Sequence, residues 1–207
     1  MKATEFITEL DPRFVNRQVD ADNWKRKGTG ATASVWQHML DPHTVVKVVG
    51  AGRNELLDKE RNAAIAFVNF LVDHGHESKH LPIIYGINLD DPDVVQIRLE
   101  KLLPLPFKWS SEYKIYKISM GEELGAFAYD NFSQEDINNL DKGIFEWGLS
   151  GNNSALGISQ VCNLLKTYLP LYKKKYKLAR LYLDTIGVNW MMRPDKTIVY
   201  VDPWYGD

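Results

Sequence analysis

The chain contains one cysteine, Cys162, in 207 residues. A lone thiol cannot close an intramolecular disulfide, so the sequence reads as a protein of a reducing compartment, and the cytoplasm is the expected location. Positive charge is not in excess either: 25 lysines and arginines face 27 aspartates and glutamates, a formal net charge of −2. General nucleic-acid binders and membrane-surface binders need a basic excess, so neither DNA nor a membrane is an expected partner. Long apolar runs are missing as well. The opening MKATEFITELDPRF has no apolar core of signal-peptide length, and no stretch is long enough to cross a bilayer. There is no internal repeat and no low-complexity segment. What remains is ordinary globular composition, 44% hydrophobic and 25% charged, which suits one domain or two small lobes sharing a cleft.

Residues 1–23 read as an N-terminal extension able to form a short capping helix. From Trp24 onward the pattern is strand-like: a glycine turn at Gly28-Thr29-Gly30, an apolar run around Val35 and Trp36, a turn at Asp41-Pro42, then TVVKVV. β-Branched density around an Asp-Pro turn predicts a hairpin. Residues 54–72 are helical by periodicity, with Leu57, Ala64, Phe67, Val68 and Leu71 on one face and the Gly75 region ending it. Two strands follow, 83–89 and 94–102, joined by the Asp90–Asp93 turn. Proline at 104 and 106 places a lobe boundary there, dividing an N-lobe of residues 24–104 from a C-lobe of residues 105–207. Ser133 with Asp136 predicts a capped helix to about residue 149. A second helix runs over about 158–168, with Pro170 ending or kinking it. The expected fold class is α+β: an antiparallel sheet with one helix, then a mostly helical half closed by a short β pair.

Three segments carry chemistry. Gly28-x-Gly30-x-x-Ala33-x-Val35 lies between strands, where missing Cβ atoms let backbone amides approach phosphate oxygens. It opens no helix, so neither a Walker-type loop nor a Rossmann turn fits. Lys47 interrupts an apolar strand. It is either an edge-strand lysine that discourages aggregation or a buried ammonium that needs a carboxylate. Glu60 on the next helix is the first candidate for that carboxylate and Glu55 the second. Near the C-terminus, LDTIGVN places Asp184 five residues before Asn189, and the strand-like run 197–201 ends on Asp202. Asn189 and Asp202 offer the hard oxygen ligands that Mg²⁺ bridging phosphates requires, and Asp184 a carboxylate to orient a hydroxyl. Taken singly, each Asx residue is equally a turn former.

In this order the segments GTGATASV, VVKV, Glu60, DTIGVN and VDPW resemble the protein-kinase-like fold. The likeness is greatest to the small early-gene serine/threonine protein kinases of short-tailed bacteriophages, and it runs from about Trp24 onward. The resemblance implies a minimal bilobal kinase that transfers the γ-phosphoryl of ATP, with Mg²⁺, to Ser or Thr of host proteins in the host cytoplasm. Gly28, Thr29, Gly30, Ala33 and Val35 would cover the nucleotide, and Lys47 would hold its α- and β-phosphates, oriented by Glu60. The backbone of the segment from Leu99 to Leu102, including Glu100, would read the adenine edge. Asp184 would be the base; Asn189 and Asp202 would bind the metal. The chain departs from the family at Ala33 (the third glycine position), at Tyr182 (two before the base) and at Ile186, where a basic residue is usual. Only five residues follow Asp202, so residues 105–180 or a second subunit would have to dock a protein substrate. A small-molecule phosphotransferase and a silent kinase-like module that binds a host protein are the alternative readings.

Weaker signals have plainer readings. The run YKKKYK from Tyr172 is a solvated helix face before it is a docking patch. His74, His76 and His80 lie in a helix-ending segment without cysteine. The six tryptophans are packing residues, and Trp204 is singled out because it follows Asp202 so closely.

Overall fold

The computed structural model describes residues 21–30, 32–50, 55–105, 124, 133–184 and 189–206. The N-terminal capping helix expected before residue 21 lies outside them. Ala21–Asn23 form a single 3-10 turn leading into β1.

The first half is a five-stranded antiparallel sheet. Its strands are β1 (Trp24–Thr29), β2 (Ala33–His38), β3 (Thr44–Val49), β4 (Ile84–Asn88) and β5 (Val95–Glu100), in the order β1-β2-β3-β5-β4. β3 is the densest run of β-branched residues and takes the central place, where both neighbours supply hydrogen bonds and packing. The edge-strand reading of Lys47 is thereby corrected: β3 pairs with β2 through Val35 and with β5 through Ile97, both opposite Lys47.

Helix α1 (Glu55–His74) contains no proline or glycine and carries Ala63, Ala64 and Ala66 in its middle, all favourable to helix. The single apolar face expected of it is too narrow a description. Val68, with Ala64 and Ile65 beside it, packs on Val49, Ile87, Val95 and Ile97 of the sheet. Ala63, Ala66, Phe67, Phe70 and Leu71 instead enter the larger core of the second half. α1 is therefore shared by two cores, and its burial on most sides follows from bridging them. Gly75 does not end the helix in a left-handed turn; a 3-10 turn, Gly75–Glu77, continues it, pinned by a 2.5 Å contact between His74 Nδ1 and Glu77 Oε1.

After the short strand β6 (Leu103–Pro104), the described residues of the second half include α2 (Gln134–Glu146), α3 (Ala155–Lys175) and four short strands. These are β7 (Leu181–Leu183), β8 (Trp190–Met192), β9 (Ile198–Tyr200) and β10 (Trp204–Gly206). β6 lies at the edge of a β6-β8-β9 sheet, a position that tolerates Pro104. β7 pairs with β10. α2 starts as its sequence predicts: the Ser133 hydroxyl accepts from the Asp136 N–H at 3.1 Å, and the Asp136 carboxylate accepts from the Ser133 N–H at 3.0 Å.

α3 overturns the expected stop at Pro170, since the helix passes through that residue to Lys175. A proline inside a helix costs about 3 kcal/mol. Here Pro170 is exposed, and the turn beyond it buries Tyr172 against Phe70 and Trp204, with the Tyr172 hydroxyl donating to Asp73 Oδ2 at 2.5 Å. Tertiary packing offsets the local penalty. The basic run belongs to this last turn: Lys175 lies over the Tyr172 and Tyr176 rings and 3.6 Å from Asp73. Among the described residues no helix is long and apolar enough to cross a membrane.

Candidate functional site

The site lies where β3, α1 and the two ends of the β7–β10 segment meet. In β3, Lys47 shares a sheet face with Val49, and this is the face that receives α1. Its ammonium reaches Asp202 Oδ2 at 2.5 Å, joining residues 155 positions apart in the chain. The lysine side chain is 17% exposed and the aspartate 43%, so the pair sits at the mouth of the contact between halves. The sequence made Glu60 the first candidate partner for Lys47; the bond goes to Asp202 instead.

Glu60 is nonetheless part of the same cluster. It is half-buried on α1, and burial is the main reason its carboxyl is pushed up from 4.5 to about 7. The negative charges of Asp202 and Asp184 push in the same direction, and Lys47 opposes them. Lys47, Asp184 and Asp202 are thus all near enough to Glu60 to act on its carboxyl. The side chain of Glu55 lies outside the described residues.

Asp184 is fixed through its main chain. Its N–H donates to the Pro203 carbonyl at 2.6 Å, and its carbonyl accepts from the Tyr200 hydroxyl. With Leu183 opposite Trp204, these bonds hold Asp184, just past β7, beside the segment that leads from Asp202 into β10. Asn189 is 8% exposed, and its carbonyl accepts from the Val201 N–H at 2.8 Å, placing it across the β8–β9 hairpin from the residue before Asp202. Its Nδ2 is a buried amide atom with no hydrogen-bond partner. A half-turn of the amide would exchange that nitrogen for Oδ1, a hard oxygen donor. Ile186 lies outside the described residues.

The glycine turn is open. Gly30 N–H donates to the Ala33 carbonyl at 2.7 Å, and Gly28 opposes Val35 beside a bulge at Lys27. Ala33 itself opposes Val49. A Cβ on Gly28 would meet nothing within 4 Å, and on Gly30 only the Ala33 carbonyl at 3.7 Å. Neither glycine has a left-handed φ. Among the described residues, local packing and conformation thus leave both positions free to take a side chain.

At the end of β5, the Glu100 side chain is committed to structure. Its carboxylate accepts from Arg193 Nε at 2.8 Å, from Arg193 Nη2 at 2.6 Å and from the Ile83 N–H at 2.9 Å. The Glu100 N–H donates to the Ile83 carbonyl at 3.0 Å and the Lys101 N–H to the His43 carbonyl at 2.8 Å. Leu102 is half-buried immediately before β6. Arg193 also donates to the Leu81 carbonyl at 2.9 Å and to the Lys79 carbonyl, so one guanidinium ties the α1–β4 connection to the β8–β9 hairpin. Sequence reading missed Arg193 and Tyr200, because neither belongs to a local motif; the contacts that define them span the chain.

Trp204 is buried against Phe67, Phe70 and Tyr172, which makes it a core residue. His80 is buried too, its Nδ1 on the Ile198 carbonyl at 2.7 Å, and burial lowers its pKa. Among the described residues, no group of three or more His, Cys, Asp or Glu could hold a metal ion. No family model matches the chain, and no curated protein matches it.

Proposed function

We propose that this chain is an ATP- and Mg²⁺-dependent phosphotransferase of minimal protein-kinase-like form, acting on Ser or Thr of proteins. The observation that carries the reading is the 2.5 Å bond from Lys47 to Asp202, with Glu60 close enough to feel both of them and Asp184. A sheet lysine, a helix glutamate and two strand-terminal aspartates from four distant parts of the chain converge as phosphate transfer requires.

Asn189 and Asp202 would hold Mg²⁺, whose positive charge neutralises bridging phosphate oxygens. The orphaned amide of Asn189 and the partly exposed carboxylate of Asp202 suit that task. Lys47 exchanges its carboxylate for phosphate oxygens, and Glu60 orients the ammonium. The turn at Gly28–Gly30 would close over the phosphates. The acceptor hydroxyl would be held by Asp184 and give its proton to an Asp184 carboxylate oxygen, while its oxygen bonds to the γ-phosphorus, the bond to the β-phosphate oxygen breaks and ADP leaves. The backbone around Glu100 and Leu102 borders the base, with Glu100 kept in place by Arg193.

The test is incubation with radiolabelled ATP, Mg²⁺ and a bacterial lysate, beside Asp184→Ala and Asp202→Ala. Labelled protein bands that disappear in both variants support protein phosphorylation, and in a phage-infected host this activity would modify host proteins. Label confined to small molecules would move the substrate class to metabolites. Label equal in wild type and variants would defeat the enzymatic reading.

A further inference from the structure

Gly206 stands where the fold admits no side chain. It opposes Leu181 in the β7–β10 ribbon, and its φ is outside the left-handed region, so backbone conformation does not call for glycine. What excludes a side chain is helix α1. A Cβ on Gly206 would lie 2.7 Å from the Lys59 carbonyl oxygen, 3.2 Å from its carbon and 3.3 Å from Ala63 Cβ. Lys59 and Ala63 bracket Glu60 on the helix. Two residues earlier on the strand, the Trp204 ring packs on Phe67 and Phe70, with centroids 5.6 and 5.0 Å away. The strand β10 therefore lies along α1 from Phe70 to Lys59, and it starts just after Asp202, the residue bonded to Lys47.

We propose that Gly206 is a positioning residue: by letting β10 lie against the Lys59 carbonyl, it sets the depth of α1 and keeps Glu60 beside Lys47 and Asp202. This rests on reading that cluster as a nucleotide-phosphate site. The segment that supplies Asp202 also fixes the helix that supplies Glu60, so the cluster is assembled before any nucleotide arrives. A methyl at position 206 cannot be absorbed by a flexible neighbour, because the nearest atoms are backbone. The helix must move outward, carrying Glu60 with it.

The experiment compares full-length wild type, Gly206→Ala and the control Tyr205→Ala, whose side chain is exposed on the same strand. Amide exchange is followed by mass spectrometry, and Mg²⁺–ADP binding by calorimetry. In Gly206→Ala, exchange in residues 58–66 should quicken about tenfold or more while β3 and β5 stay protected. Mg²⁺–ADP affinity should fall about tenfold. Tyr205→Ala should match wild type in both. Wild-type exchange in Gly206→Ala would overturn the proposal, and so would faster α1 exchange with unchanged nucleotide affinity. Should Gly206→Ala fail to fold, wild type alone decides. Residues 58–66 should be protected without nucleotide and change little when Mg²⁺–ADP is added; protection that appears only with nucleotide would overturn the proposal. A wild type that binds no Mg²⁺–ADP would sink the phosphate-site reading, leaving exchange to decide whether β10 sets the helix.

Discussion

Replacing Glu60 by glutamine should make the protein more stable at alkaline pH and change little at acid pH. The folded chain holds the Glu60 proton up to about 7, whereas the unfolded chain releases it near 4.5. Stability from this group is fully present below 4.5 and is lost as pH rises through about 7, because folding then forces a charge into a site that disfavours it. At full effect a gap of that size is worth about 3 kcal/mol. Glu60 is only half-buried, so solvent screening reduces the expected effect to roughly 1–2 kcal/mol. Glutamine keeps the shape and never ionises. Urea unfolding of wild type and Glu60→Gln should therefore show the variant ahead by roughly 1–2 kcal/mol at about pH 8.5 and by less than about 0.5 at about pH 5. The other titrating groups are common to both proteins and cancel in the difference. A difference that is the same at both pH values, or a variant less stable at the higher one, would refute the placement of Glu60 among Asp184, Asp202 and a partly compensating Lys47.

Arg193→Ala should destabilise the protein by about 3 kcal/mol or more in urea, because it leaves the Glu100 carboxylate buried without its guanidinium. Gly157→Ala should lower the melting temperature although alanine is the better helix former: its Cβ would lie 2.8 Å from the buried His80 Nε2, a ring fixed by the Ile198 carbonyl. The expected net loss is about 1–2 kcal/mol, a few degrees for a chain of this size. Cys162 is fully buried and its thiol is pushed up to about 12, so a thiol-reactive disulfide reagent should label it only after denaturant is added.

Much of the architecture was written locally. An apolar run around Val35 and Trp36 marked β2, β-branched residues marked β3 and β5, apolar periodicity marked α1, and the Ser133–Asp136 box placed the start of α2 at the observed residue. What failed was non-local. Sequence cannot rank strands within a sheet, so an edge position stayed open for Lys47 although β3 is central. Nor could it weigh Pro170 against a Tyr172–Phe70–Trp204 contact that forms only when distant helices meet. In the candidate site, the residue types of Lys47, Glu60, Asp184 and Asp202 were legible from order and chemistry, and the structure brings those four together. Their pairing was not legible, because it depends on how β10 packs against α1 and brings Asp202 to the ammonium. Arg193 and Gly206 gave no sequence signal, since each acts through contacts with residues far away in the chain.

The central claim is that Lys47 and Asp202 belong to a phosphate and metal site rather than to an ion pair that merely joins two halves. Calorimetric titration with ATP in the presence of Mg²⁺ tests it most directly, using wild type, Lys47→Met and Asp202→Asn. Wild type should bind one equivalent, and each variant should lose tenfold or more in affinity, about 1.4 kcal/mol, while remaining folded. A wild type that releases no heat of binding, or variants that bind Mg²⁺–ATP as tightly as wild type, would contradict the account.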